Sequence, residues 1–176
     1  MIAIDSGSAQ AKSAAFALAA GWESYMNSTD KMSCCLSEMR KAAIDIICKT
    51  AYADDSVYDS LEKSYINNFL TEEPDYVEIE KTLNALAVIN TDKTVELLFK
   101  FLYGLHQRKH NGIWTGKEQR IFPWVVNALA ASKIKSRNIW NLLVVIFRTE
   151  MYSKSERLYA KNALIKIKAS SQHPAA

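Results

Sequence analysis

The sequence predicts an all-α protein, in the form of a short right-handed α-α superhelix of stacked antiparallel helical hairpins. Turn-forming residues are scarce, with five Gly and three Pro among 176 residues, which favours long helices over many short strands. Apolar residues recur at the three- and four-residue spacing of a helix, and no segment shows sustained strand alternation. The third observation is a three-residue echo whose copies lie 35 to 43 residues apart, a period typical of helical-repeat arrays.

The echo is a three-residue motif whose central residue is Ala and whose third residue is a large aliphatic one. Its copies are Asn84-Ala85-Leu86, Asn127-Ala128-Leu129 and Asn162-Ala163-Leu164, preceded by the fainter Ala42-Ala43-Ile44. The central alanines are separated by 85−43 = 42, 128−85 = 43 and 163−128 = 35 residues. A small residue in mid-helix lets two helix axes approach closely, and the aliphatic neighbour fills the gap. We therefore predict that each copy lies in the first helix of a hairpin; the alternative is coincidence in an ordinary helical bundle.

Three segments are predicted along the chain. Residues 1–31 form an Ala-rich N-terminal segment with the composition of a helix, residues 32–168 form the repeat domain, and residues 169–176 form a loose tail. The first predicted hairpin lies within residues 32–70, because apolar residues follow the helical spacing on both sides of Asp54 and Asp55. Residues 71–75 contain Pro74 and break the helix.

The remaining helices follow the same logic. A second hairpin is predicted over residues 79–105, because the turn at Thr91 and Asp92 is too short for any arrangement but an antiparallel one. Thr115 and Glu118 have the spacing of a capping box and open a third hairpin that extends to Phe147. Ser153 and Glu156 form another capping box, which opens a lone closing helix.

The second hairpin carries a family resemblance. Residues 83–92, Leu-Asn-Ala-Leu-Ala-Val-Ile-Asn-Thr-Asp, followed by Val95 and Leu98, resemble a HEAT repeat, which has a small residue and Leu in its first helix and Asp at its turn. The resemblance covers most of residues 32–168, although residues 134–136 have Ile-Lys-Ser where the turn Asp would fall. It implies an α-solenoid that works by presenting a surface. Because the family also contains DNA-repair members, the resemblance leaves the function open.

Charge is unevenly distributed along the sequence. Residues 54–80 contain nine acidic residues and one Lys, a net charge of −8, whereas residues 100–137 contain eight basic residues and one Glu, a net charge of +7. The acidic carboxylates lack the spacing of a calcium-binding loop. We expect a dipolar molecule whose field steers and orients a partner.

The sequence favours binding over chemistry. It contains no G-x-S-x-G, H-E-x-x-H or phosphate-binding glycine loop. The first hypothesis is a non-enzymatic protein-interaction scaffold or adaptor without a cofactor. The alternative is a nucleic-acid-binding HEAT-like protein that uses the basic segment 100–137. A third interpretation is a piece of a longer array that self-associates through exposed ends.

The candidate binding site is the basic loop around Trp114. Arg and Lys beside Trp suit the recognition of an acidic peptide or a nucleic acid, and loops on rigid scaffolds often carry binding groups. The alternative is a connector in which Trp114 packs into the groove between repeats while the bases stay in water. The candidate residues are Arg108, Lys109, His110, Trp114, Lys117 and Arg120.

The sequence gives no metal or membrane signature. His106 and His110 are four residues apart, but no third ligand is spaced nearby. The three cysteines, at 34, 35 and 48, argue against a disulfide framework and are interpreted as buried free thiols. They favour a reducing, cytoplasmic compartment, while an envelope or secreted location stays open. No apolar run approaches the roughly 20 residues that span a bilayer.

Overall fold

The secondary structure is helical, which confirms the all-α prediction. The computed structural model describes residues 6–27, 34–132, 134 and 136–169, and within these ranges it contains eight α-helices and no strand. The helices are α1 (Ser6–Asn27), α2 (Cys34–Thr50), α3 (Asp55–Leu70), α4 (Tyr76–Ile89), α5 (Asp92–His110), α6 (Gly116–Ala131), α7 (Arg137–Arg148) and α8 (Lys154–Ala169).

The chain divides into two compact units with the same internal order of packing. Unit 1 is Met1–Ile89 and contains α1 to α4, and unit 2 is Asn90–Ala176 and contains α5 to α8. In unit 1, α1 packs against α2 and α3, and α4 packs against the same two helices. In unit 2, α5 and α8 each pack against α6 and α7. Consecutive helices therefore pack in pairs within each unit, and we call each such pair a hairpin.

The predicted pairing of helices is shifted by one helix. The hairpins within the units are α1/α2, α3/α4, α5/α6 and α7/α8, whereas the sequence predicted α2 with α3, α6 with α7 and a lone α8. The predicted hairpin over residues 79–105 is divided, since unit 1 ends at Ile89 and unit 2 begins at Asn90. The reason is that a short connection does not require its two helices to pack as a pair: the shortest one, residues 90–91, lies at the boundary between the two units.

The echo marks the second helix of each hairpin. Its four copies lie on α2, α4, α6 and α8. The central alanines are buried in all four helices, at Ala43, Ala85, Ala128 and Ala163. The preceding residue is exposed each time, and the following one is buried in α2, α4 and α6. The copies therefore recur at equivalent positions, but on the second helix of each pair and not, as predicted, on the first.

The Ala-rich segment forms α1 and is an integral part of unit 1. Ala11, Ala14, Ala15, Leu18 and Trp22 are buried, because their spacing places them on the side that contacts α2 and α3. The predicted boundary between residues 31 and 32, and nearly all of the predicted tail 169–176, lie outside the residues that the structure describes. None of the helices in the described ranges is long and apolar enough to cross a membrane.

Three of the second helices begin in the same way. The connections 71–75, 111–115 and 149–153 each contain five residues and end at the cap residues Asp75, Thr115 and Ser153. The third residue of the following helix is a buried Glu in every case: Glu78, Glu118 and Glu156. Both predicted capping boxes are present. These three carboxylates accept most of the buried side-chain hydrogen bonds described below.

Candidate functional site

The loop around Trp114 is fixed by its backbone. Asn111, Gly112 and Ile113 donate their backbone N–H groups to carbonyls in the last turn of α5, at N–O distances of 2.9, 3.1 and 2.8 Å. Gly112 has a φ of +72°, a left-handed conformation that Gly adopts without steric cost. The loop therefore leaves α5 in one direction, which delivers Trp114 and the cap residue Thr115 to defined positions.

Arg108 is held by the buried Glu118. Its Nε and Nη2 atoms both lie 2.8 Å from Oε1 of Glu118, a charge-assisted contact. Oε2 of Glu118 accepts hydrogen bonds from the hydroxyl and the backbone N–H of Thr115. Burial pushes the pKa of Glu118 upward, but the Thr115 and Arg108 contacts outweigh it and hold the pKa below its ordinary value. Arg108 is thus engaged within the chain.

Lys109 is held by the buried Glu156. Its Nζ atom lies 3.3 Å from Oε2 of Glu156 and 4.4 Å from the centre of the Trp114 ring, so it makes an ion pair and a cation–π contact together. The Trp114 indole N–H donates to Oε1 of Glu156 at 2.9 Å. The Lys109 and Glu156 side chains are only 13% and 8% exposed. We call Lys109, Trp114 and Glu156 the cation–Trp–Glu cluster of unit 2.

An aromatic group lies beside this cluster. Tyr152 is 1% exposed and its ring centre lies 5.7 Å from that of Phe122 and 6.2 Å from that of Trp114. Its hydroxyl lies 2.8 Å from Nδ1 of His106. Burial raises the pKa of Tyr152, and burial together with the charge of His110 lowers the pKa of His106. Both shifts favour the uncharged form of the side chain.

The structure separates the six predicted binding residues into two sets. It brings Arg108, Lys109 and Trp114 together as the anchors of the loop. The other three, His110, Lys117 and Arg120, are exposed or partly exposed, and the Arg120 guanidinium lies 5.9 Å from the ring centre of Trp124. Trp114 packs inward, as the connector interpretation expects, but Arg108 and Lys109 contact buried carboxylates and do not remain in open water.

The sequence predicts the capping role of Glu118 and Glu156 but not the side chains that contact them. Glu118 and Glu156 were assigned to capping boxes, which requires only one oxygen of each carboxylate. The other oxygen receives Arg108 in the first case and the Trp114 indole in the second. No sequence motif marks Tyr152, which directly precedes the cap residue Ser153. For Glu118 the available signal was a Glu at the start of a helix together with a base, Arg108, at the end of the preceding one. Glu156 had no such signal, because its partner Lys109 lies at the end of α5 and not of α7, the helix that precedes it.

Unit 1 contains a cluster of the same composition. The fully buried Glu78 accepts the Trp22 indole N–H at 3.1 Å, Nε of Arg40 at 2.9 Å and the Ser64 hydroxyl at 2.8 Å. The Arg40 guanidinium lies 4.3 Å from the centre of the Trp22 ring. Burial raises the pKa of Glu78 above its ordinary value, against the opposing effects of Arg40 and Ser64. Trp22, Arg40 and Glu78 form the cation–Trp–Glu cluster of unit 1.

The two clusters occupy equivalent places in their units. Glu78 and Glu156 are 156−78 = 78 residues apart, as are the echo alanines Ala85 and Ala163, since 163−85 = 78. Each Glu is the third residue of the last helix in its unit. The first helix of each unit supplies a different member of the cluster: it supplies the Trp, Trp22, in unit 1, but the cation, Lys109, in unit 2. The same three groups thus tie the two hairpins of each unit together.

The net charges of the two units are opposite. Unit 1 contains seven Lys or Arg and 14 Asp or Glu, a net charge of −7, and unit 2 contains 15 Lys or Arg and five Asp or Glu, a net charge of +10. Two of the five acids in unit 2, Glu118 and Glu156, are buried beside Arg108 and Lys109. The exposed surface of unit 2 is therefore strongly basic.

An open apolar groove of about 550 Å³ runs between α1 and α2. Small alanines form its floor, and Met39 and Ile46, which are 40% and 42% exposed, form one side. No charged side chain lines it. It therefore offers nothing that would recognise a charged ligand.

The described part of the chain contains no group of three His, Cys, Asp or Glu side chains that could hold a metal ion. Cys48 is half-buried, and burial raises the pKa of its thiol. Cys35 is exposed, so the expectation of a buried thiol is wrong at that position, because Cys35 lies on the outer side of α2. The side chain of Cys34 lies outside the described residues.

Comparison with models of protein families, with curated proteins and with solved structures finds no match.

Proposed function

We propose that this chain is a non-enzymatic protein-interaction module of the HEAT type, a scaffold or adaptor whose hairpins belong to a right-handed α-α superhelix. The observation that carries the proposal is the division of charge. Unit 1 has a net charge of −7 and unit 2 one of +10, and the sign changes where one compact unit ends and the next begins. Two stable bodies of opposite charge attract and orient charged partners over several ångströms.

The polar interior supports a role in binding rather than in chemistry. Glu78, Glu118 and Glu156 are the buried carboxylates that begin the second helices, and each already accepts hydrogen bonds from its own chain. Each also faces a cation supplied by its own unit. Groups satisfied in this way stabilise the hairpins. The surface is therefore where we place the function.

Unit 2 is the unit we assign to an acidic partner. Of the six residues predicted to bind, His110, Lys117 and Arg120 retain exposed surface, while Arg108 and Lys109 contact Glu118 and Glu156. We propose that the exposed three contribute to partner contact. Arg108, Lys109 and Trp114 contribute indirectly, because they hold the end of α5, whose last residue is His110, and the loop that follows it.

The proposal is tested by capture with matched charge variants. The immobilised wild-type chain is compared with a Lys117→Glu/Arg120→Glu variant in unit 2 and with a Lys49→Glu/Lys63→Glu variant in unit 1, which changes the net charge equally. We expect the wild-type chain and the unit 1 variant to retain the same bound proteins, and the unit 2 variant to lose them. Their retention should persist after nuclease treatment. Circular dichroism establishes that all three chains remain helical. Retention of no protein above background would contradict the proposal.

The second candidate function is nucleic-acid binding by unit 2, which its net charge of +10 favours. Binding through phosphate contacts loses about 1,000-fold or more in affinity between roughly 50 and 200 mM salt when six or more phosphates are contacted. Titration of a labelled duplex at those two salt concentrations tests it. Arg120→Glu is expected to weaken binding to all sequences alike. No binding at the lower salt concentration rejects this candidate.

A further inference from the structure

The outer face of α8 carries a regular stripe of lysines and aliphatic residues. Lys154, Leu158, Lys161, Ile165 and Lys168 follow each other at intervals of three or four residues, so they share one side of the helix. Leu158 and Ile165 are 54% and 56% exposed, and the three lysines are exposed as well. The buried residues of α8 lie on the opposite side. We call these five residues the α8 stripe.

The outer face of α3 carries a stripe of the opposite charge. Asp59, Glu62, Ile66 and Leu70 follow each other at the same intervals. Ile66 and Leu70 are 39% and 71% exposed, Asp59 is exposed and Glu62 is half-buried. The buried face of α3 points away from these four residues. We call them the α3 stripe.

We propose that the α8 stripe of one copy of this chain docks against the α3 stripe of a second copy. The charges are complementary, since three lysines would face two carboxylates. Each stripe also offers two large aliphatic side chains that would be removed from water on contact. At about 1.5 Å of rise per residue, the α8 stripe is about 21 Å long and the α3 stripe about 17 Å long, so the two cover each other over most of their length.

The unit charges favour the same arrangement. The α3 stripe belongs to a unit of net charge −7 and the α8 stripe to a unit of net charge +10, so contact between unlike units of two copies is attractive as a whole. Contact between like units is repulsive. Each copy offers both stripes, and a single contact leaves one of each unused. Association is therefore head to tail and produces closed rings or open chains.

The test uses sedimentation velocity on the purified full chain over a range of concentrations. We expect the wild-type chain to associate, and to dissociate as salt is raised, because the contact is largely electrostatic. Lys161→Glu/Lys168→Glu reverses the α8 stripe, and Asp59→Lys/Glu62→Lys reverses the α3 stripe. Each variant alone would face like charge with like charge and is expected to sediment as a monomer.

Mixing the two variants provides the decisive measurement. The mixture unites the intact α3 stripe of one variant with the intact α8 stripe of the other, so we expect association to return as mixed dimers or larger species. The controls are Lys100→Glu/Lys166→Glu and Glu72→Lys/Glu80→Lys, which change the net charge equally at exposed positions outside the stripes. Both controls are expected to associate like the wild-type chain.

Three results would each overturn the proposal. They are a wild-type chain that stays monomeric at every concentration, controls that dissociate as fully as the stripe variants, and a variant mixture that remains monomeric. The experiment contains no other protein, so its result is independent of the proposed role toward another protein. A monomeric wild-type chain that still captures an acidic partner would reject this inference and leave that proposal standing.

Discussion

Lys109 and Arg108 show how neighbouring bases can be removed from a binding surface. Each reaches a Glu at the third position of a helix, Glu156 and Glu118 respectively. In both capping boxes one carboxylate oxygen accepts the backbone N–H of the cap residue, and the other accepts from a side chain, Arg108 for Glu118 and Trp114 for Glu156. Because both carboxylates are buried, the cations that reach them are fixed in position. The bases that suggest a binding loop in the sequence therefore mainly connect α5 to the helices that carry these two carboxylates.

Replacing Glu156 with Gln tests the ion pair in the unit 2 cluster. Gln retains an acceptor for the Trp114 indole but leaves the Lys109 charge without its carboxylate in a largely buried place. We expect a loss of about 2–4 kcal/mol in the free energy of unfolding, measured by denaturant titration. Adding Lys109→Met to the Gln variant is expected to restore part of that loss. Equal costs of the Gln substitution with and without Lys109 would show that the two groups are not coupled.

Glu118 makes stability depend on pH in a defined direction. Its folded pKa lies below the ordinary value of about 4.3, so the carboxylate contributes stability above that pH, and the contribution disappears as the pH falls through the folded pKa. We expect Glu118→Gln to cost about 1–3 kcal/mol at neutral pH and progressively less below about pH 4. Urea titrations of both chains at several pH values measure this. A cost that does not change with pH would contradict the assigned direction.

At the scale of elements, the echo shows what one sequence can and cannot reveal. Its alanines are buried in all four helices in which they occur, as their small size predicts, because burial depends on the local helical pattern. Which neighbouring helix each one packs against depends on contacts between residues far apart in the chain. The repeat period can be seen in the sequence, but the pairing cannot, because even the shortest connection, residues 90–91, lies between two units and not within one.

The candidate site also has features that the sequence predicts and features that only the fold reveals. The two capping boxes were predictable, because each joins residues three positions apart, whereas the inward packing of Trp114 was one of two interpretations that the sequence left open. The cluster that Trp114 forms with Glu156 joins residues separated by 42 positions, and Trp22 and Glu78 are separated by 56. Only the fold brings such residues together. The equivalent spacing of the two clusters could have been found by comparing the units, once their boundary was known.

The echo alanines predict a specific sensitivity to size. Ala163 of α8 is 2% exposed, and a larger side chain there would collide with the helices that α8 packs on. We expect Ala163→Leu to destabilise the protein by about 1–3 kcal/mol. The neighbouring Asn162 is exposed, so Asn162→Leu is expected to change the free energy of unfolding by less than about 0.5 kcal/mol. Equal effects in thermal unfolding would argue against close packing at the echo.

At the scale of the molecule, two units share one order of packing and differ in charge. The last helix of each begins with a Glu that joins a Trp and a cation, and the echo follows seven residues after that Glu. The stabilising interior is therefore repeated while the surface is not. This is the arrangement expected where packing conserves a scaffold and the outer residues set what each unit attracts.

Each unit has its own buried core, so we predict that damage to one core leaves the other protected. Leu61 of α3 and Leu143 of α7 are both 0% exposed and lie in the third helix of their units. Replacing either with Ala lowers the free energy of unfolding of its core by about 3 kcal/mol. This loss accelerates the exchange of amides in that core roughly 100-fold. Hydrogen-exchange mass spectrometry should detect faster exchange in the helices of unit 1, α1 to α4, for Leu61→Ala and in those of unit 2, α5 to α8, for Leu143→Ala. Faster exchange in both units from either substitution would mean that the chain unfolds as a single cooperative body, and the division of charge would then lie within one folding unit.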